Sequence, residues 1–143
     1  MVTMHAMERP GIEMFVETEN VLTPDGLKRI FICVGIDEFV GEEYGFSGEF
    51  PDSNVTFDVF EEEKSTLGAE VIAGNAKREC NWIVGIRVRF RYVNETYEAC
   101  VADLKAFVLR LASLATARFV LSFQFETIYA IRDGEGLCFV KAL

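Results

Sequence analysis

From Trp82 to Tyr92 the side chains alternate: Trp82, Val84, Ile86, Val88, Phe90 and Tyr92 are apolar or aromatic, and Arg87, Arg89 and Arg91 stand between them. Successive residues of a strand point to opposite faces of a sheet. One face of this strand is therefore apolar and has to be covered, while the other carries a row of guanidinium groups. Directly downstream the period changes. Tyr97, Cys100, Val101, Leu104, Phe107, Val108, Leu111, Leu114 and Ala115 recur at the spacing of a single helix face. Asn94 suits the N-cap, and Glu95 and Glu98 suit the positive end of the helix dipole. A strand with one apolar face followed by a helix with one apolar stripe, at about 95–115, predicts a helix packed on a sheet.

Most of the remaining chain reads as strand. Ile12–Thr18 is short and mixed. Leu27–Ile36 alternates through Ile30, Ile32, Val34 and Ile36, Val55–Phe60 through Val55, Phe57 and Val59, and Ala69–Ala73 suits a short strand. Phe119–Arg132 alternates through Leu121, Phe123, Phe125, Thr127, Tyr129 and Ile131. Asp133-Gly134-Glu135-Gly136 then turns the chain into Leu137–Ala142, since Asp-Gly pairs favour the positive φ of hairpin turns. The expected fold is α+β, a mostly antiparallel sheet with one long amphipathic helix on one face and a C-terminal β-hairpin. Residues 1–143 read as one domain, because half of them are apolar and no Pro/Ser/Gly linker divides them.

Several chemistries lack their parts. The only histidine, His5, sits near the start of the chain, away from the structured runs, which argues against Ser–His and Cys–His catalysis and against metal sites needing two histidines. Cys33, Cys80, Cys100 and Cys138 match no zinc or redox spacing, and most have apolar neighbours, as reduced structural thiols do. Gly41, Gly45 and Gly48 form no phosphate-binding pattern. Asp52, Asn54, Thr56, Asp58 and Glu63 follow the count of a calcium loop, but Phe57 occupies the position that needs glycine. Ser122, Gln124 and Glu126 share the polar side of the late strand, where Glu126 lacks an evident partner for general-base work. Arg87, Arg89 and Arg91 are expected to pair across the sheet with carboxylates such as Glu13 and Glu17. No catalytic residue, cofactor or metal is assigned. Met1–Pro10 lacks the pattern of a signal peptide and no run approaches the ~20 apolar residues of a membrane span, so a cytoplasmic, non-membrane protein is expected.

The charge is concentrated. The net charge is −9, and between Asp37 and Glu63 there are ten carboxylates and no Lys, Arg or His. The other residues hold 13 acids and 14 bases, so they are nearly neutral. An acidic stretch threaded with aromatics suits either a docking surface for a basic protein or a solvated rim that keeps the protein soluble, and the overall charge argues against nucleic-acid binding. With Gly41, Gly45, Gly48 and Pro51, much of Asp37–Pro51 reads as loop. The expected partner-binding residues are Asp37, Glu38, Phe39, Glu42, Glu43, Tyr44, Phe46, Glu49, Phe50 and Asp52, the aromatic ones acting as anchors.

This profile, an acidic α+β domain without catalytic apparatus whose C-terminal third is a helix followed by strand–turn–strand (Phe119–Glu126, then Arg132–Leu137), resembles the bacterial immunity proteins of polymorphic-toxin and contact-dependent growth-inhibition systems. The resemblance implies stoichiometric neutralisation of a cognate toxin, often a nuclease, without turnover; a monomer or weak homodimer is expected. No family residue transfers position by position. Type III-like secretion chaperones are similar in size, acidity and α+β character but usually begin with a helix, where Gly11–Thr18 reads as strand. A small-ligand-binding or carboxylate-based enzymatic domain is the third class, and it requires a pocket with convergent acids.

Overall fold

A computed structural model describes residues 12–42, 45–61, 82–124, 127–134 and 136–143. Eight strands form one antiparallel sheet, joined by two helices. In chain order these are β1 (Glu13–Glu19), α1 (Pro24–Cys33), β2 (Val40–Glu42), β3 (Gly45–Glu49), β4 (Thr56–Glu61), β5 (Val84–Arg91), α2 (Tyr97–Leu114), β6 (Phe119–Phe123), β7 (Thr127–Asp133) and β8 (Gly136–Phe139). The spatial order is β2-β3-β4-β5-β1-β6-β7-β8, so β1 is inserted between β5 and β6. The expected α+β architecture and C-terminal hairpin are both present. The strand expected at Ala69–Ala73 lies outside the described residues.

One face of the sheet is covered by both helices. Met14, Val16, Phe57, Val59, Ile86, Val88, Phe90, Phe119 and Leu121 alternate onto it and share a buried cluster with Leu104, Phe107 and Leu111 of α2 and Leu27, Ile30 and Phe31 of α1. Burying a side chain of this size stabilises by roughly 1.5–3 kcal/mol relative to exposure. The expected helix is α2, but it begins at Tyr97, after a single 3-10 turn at Asn94–Thr96, so Asn94 is not its N-cap. Thr96 Oγ1 instead donates to the carbonyl of Ser53, 2.5 Å away, tying the helix start to the β3–β4 turn.

Four expectations need correction. Leu27–Ile36 is not a strand, because the chain supplies a helix with both ends already closed. Thr23 caps it by accepting from the Gly26 amide, 3.0 Å away, and Pro24 occupies the first turn, where its missing N–H costs nothing. At the other end Gly35, at φ +103°, turns left-handed. Its amide donates to Ile32 and that of Ile36 to Phe31, the paired bonds of a Schellman motif. The helical spacing buries Leu27, Ile30 and Phe31, while Ile32 and Cys33 point outward. A second helix therefore joins the expected one.

Residues 37–51 are not mostly loop, since β2 and β3 lie within them. Gly48 is a packing site: a Cβ there would meet the Phe57 ring at 2.5 Å. Phe119–Arg132 is two strands and not one, reversing after Gln124 at φ +50°. Cys33, finally, is exposed, although Cys100 is buried as a structural thiol would be. Arg132 joins the second of these late strands to the helical layer, its guanidinium donating to the carbonyls of Ala115 and Ala117 in the link that follows α2.

Candidate functional site

The face of the sheet away from the helices carries the charges. Registers place Glu13 opposite Arg91, Glu17 opposite Arg87 and Asp58 opposite Arg89. The pairs close at 2.8, 3.1 and 2.7 Å respectively, so the arginine row is matched across strands as its spacing implied. A fourth pair joins Glu19 and Arg118 at 2.7 Å. The Arg118 side chain, donating twice to this carboxylate, holds Glu19 below its ordinary pKa despite opposition from burial; the Arg118 amide and charge add to the effect.

At one end of the sheet this matching stops. Asp37 and Glu38, in the link from α1 to β2, and Glu49 and Asp52, around the β3–β4 turn, are all exposed. A concavity of about 560 Å³ lies against β2, β3 and β4, and Asp37, Glu38, Glu49 and Asp58 all line it. Arg91 is the only base on its wall among the described residues, and Glu13 already holds it. The Schellman closure of α1 aims Asp37 and Glu38 at this rim, because Ile36 is anchored in the core immediately before them. Asn54, at φ +65° in the β3–β4 turn, donates to Glu49 across 2.6 Å and fixes that carboxylate.

The aromatic side chains of the acidic stretch do something else. Phe46 and Phe50 are buried and cannot serve as free anchors, and Phe39 packs against the core. All three surround Phe31 edge-on, at centroid distances of 6.3–6.4 Å. Phe57 and Phe107 stack on the two sides of Phe31 at 4.0 and 4.6 Å. Lys28 Nζ lies 5.4 Å from the Phe39 ring centre and 5.0 Å from that of Phe46. The apolar groups that do project here are Val40, 71% exposed, and Phe60, 46% exposed. Phe60 was legible from the alternation of Val55–Phe60, which puts it on the side opposite Phe57 and Val59.

Of the ten expected contact residues, the structure brings Asp37, Glu38, Glu49 and Asp52 to one exposed end, and it puts the backbone of Glu42 at the adjacent sheet edge. Glu43 and Tyr44 lie outside the described residues, as do His5, Cys80, Glu63 and Glu126. Ser122 is buried with its Oγ unpartnered and Gln124 is exposed in a turn, so these two build no joint site. Asp58 is held by Arg89 and sits within a strand, not a calcium loop. No helix among the described residues is long and apolar enough to cross a membrane. The chain matches no protein-family model, no curated protein and no solved structure.

Proposed function

We propose that this chain is a non-enzymatic binding protein that takes a basic protein on the acidic end of its sheet, in the manner of bacterial immunity proteins that neutralise a cognate toxin in the cytoplasm. One observation carries the reading: the asymmetry of charge matching. Along β1, β5 and β4 Glu13, Glu17 and Asp58 are spent on arginines, whereas Asp37, Glu38 and Glu49 stand exposed on the wall of a concavity, with Asp52 exposed in the adjoining turn, and the only base on that wall among the described residues is already paired. Unmatched surface charge of one sign raises the rate at which an oppositely charged partner docks. Val40, exposed on the same wall, supplies apolar contact beside them.

The reading requires a toxin gene beside this one, and its test is association with that gene's product, measured across salt concentrations. In the variant Asp37→Lys/Glu38→Lys/Glu49→Lys/Asp52→Lys the on-rate should fall about 10–1,000-fold at low salt, with the salt dependence flattened. Unchanged on-rates in a folded variant would remove this surface as the docking site.

The concavity also favours a second reading, a small-ligand domain, because its volume falls within the ~300–1,000 Å³ of small-molecule sites. Its acids are a weak match for chemistry: Asp58 is neutralised by Arg89 and the others face water. Saturable binding of a polyamine by calorimetry, abolished in the same variant, would favour this second reading.

A further inference from the structure

Among the described residues the sheet has two open edges, and one is better protected than the other. Proteins blunt exposed edge strands with charge, proline, irregular backbone or extreme shortness. At the β2 edge the strand has three residues, Gly41 sits at φ +113°, and acids flank it. At the other edge Gly136 is likewise left-handed, at φ +115°, but the rest of β8, Leu-Cys-Phe, carries no charge and no proline.

The ladder fixes what β8 presents. The Val140 amide donates to Tyr129 at 2.8 Å, and the register continues through Ile131↔Cys138 and Asp133↔Gly136. In an antiparallel ladder hydrogen-bonded and non-hydrogen-bonded pairs alternate. Gly136 and Cys138 therefore turn their backbone groups toward β7, and Leu137 and Phe139 turn theirs to the open edge.

We propose that β8 pairs with β8 of a second copy, antiparallel about a two-fold axis at Cys138. In this register Leu137 of each copy faces Phe139 of the other, and both are residues whose amide and carbonyl point outward. Cys138 then meets Cys138 as a non-hydrogen-bonded pair, with Cα atoms ~4.5 Å apart, inside the range a disulfide spans.

Charge selects a second copy as the occupant. Residues 127–143 carry Arg132 and Lys141 against Asp133 and Glu135, so this edge is neutral toward itself. The acidic end lies at the opposite extreme of the eight-strand order. At ~4.8 Å per strand spacing it is about 34 Å from β8, several Debye lengths at physiological salt. Joining at β8 puts the two acidic ends at the far extremes of a continuous sheet, where they neither repel nor obstruct each other. A four-residue pairing is small beside the ~1,200–2,000 Å² of stable interfaces, so the dimer forms in the micromolar range.

The first experiment is sedimentation equilibrium over micromolar concentrations, in which the average mass should rise toward twice the monomer value. Leu137→Pro removes an outward amide, a change an edge strand tolerates, and Phe139→Lys places charge at the seam; circular dichroism confirms that each is folded. Both should stay at monomer mass.

The second is oxidation by diamide, which takes two electrons and two protons from a pair of thiols as they join. Variants keeping only Cys138 or only Cys33 are compared. Cys33 is exposed and Cys138 only half-exposed, so random collision favours Cys33. A paired edge should instead link Cys138 about tenfold faster. Monomer mass throughout for the unaltered chain, dimers that persist in both folded edge variants, or faster linking through Cys33 would each overturn the proposal. None of these outcomes depends on the toxin-binding reading, which uses the other end of the sheet.

Discussion

Replacing Phe31 by Leu should be the most informative single change in the core, because it separates helix from strand at α1. Phe31 is fully buried and stacks between Phe57 and Phe107, with Phe39, Phe46 and Phe50 edge-on around it. An aromatic pair stabilises by roughly 0.5–1.5 kcal/mol beyond its area, so losing two stacked partners costs about 1–3 kcal/mol. The smaller side chain leaves a void that adds about 0.5–1 kcal/mol. The expected destabilisation is roughly 1.5–4 kcal/mol, a fall in Tm of about 5–16 °C for a chain of this size. Its control is the adjacent Ile32→Ser. Ile32 is 54% exposed on the helix, so this change should cost under ~0.5 kcal/mol. In the alternating pattern Ile32 lies inside with Ile30, and the order of costs reverses. Urea unfolding with an unchanged m-value measures both. A larger loss for Ile32→Ser, or equal losses, would refute the helical packing.

Two further outcomes follow from the ion pairs. Glu17 is wholly buried against Arg87, whereas Glu13 and Arg91 are partly exposed. Chemical denaturation should therefore show Arg87→Met costing about 2–4 kcal/mol and Arg91→Met no more than ~1 kcal/mol, with Glu17→Met/Arg87→Met recovering much of the first loss. The Glu19 carboxyl is lowered in the folded state from its ordinary 4.5, so its contribution to stability is present above pH 4.5 and disappears as the pH falls through the lower folded value. Arg118→Gln should remove that contribution, moving the acid-unfolding midpoint to higher pH; an unmoved midpoint would mean that the pair does not stabilise the fold.

The legible parts were those in which one period repeats without competition. Ile86–Tyr92 and Tyr97–Leu111 each show a single face, and the Arg row opposite carboxylates was legible from period 2; the alternation breaks upstream, where the ladder slips at Thr18/Glu19 and Trp82 and Val84 join the separate cluster of Val120, Ile128 and Ile131. Leu27–Ile36 was misread because apolar residues crowd both patterns there. The deciding signals lay outside the apolar run, in Thr23-Pro24-Asp25 before it and Gly35 after it. The glycines of the acidic stretch misled in a different way. Gly48 is glycine because a Phe57 ring lies where its side chain would be, and only the tertiary contact reveals that. Phe46 and Phe50 looked like anchors because a chain rich in acids gives no local hint that its rings converge on a distant helix. The projecting acids were legible, since a carboxylate without a nearby base has nowhere to go but water.

The distribution of these acids has a mechanical consequence. A particle with its excess charge at one end experiences a torque as well as a force in the field of another charged body. Reorientation and diffusion over the tens of ångströms where that field is felt at low salt take comparable times, so the torque has time to act. Beside a positively charged body the molecule is therefore turned as it approaches, with the β2–β4 end leading and β8 trailing. Even before any side chain touches, the sheet has become a pointer, and the number of encounters that begin in a useful orientation is set by where the charge sits as well as by how much of it there is.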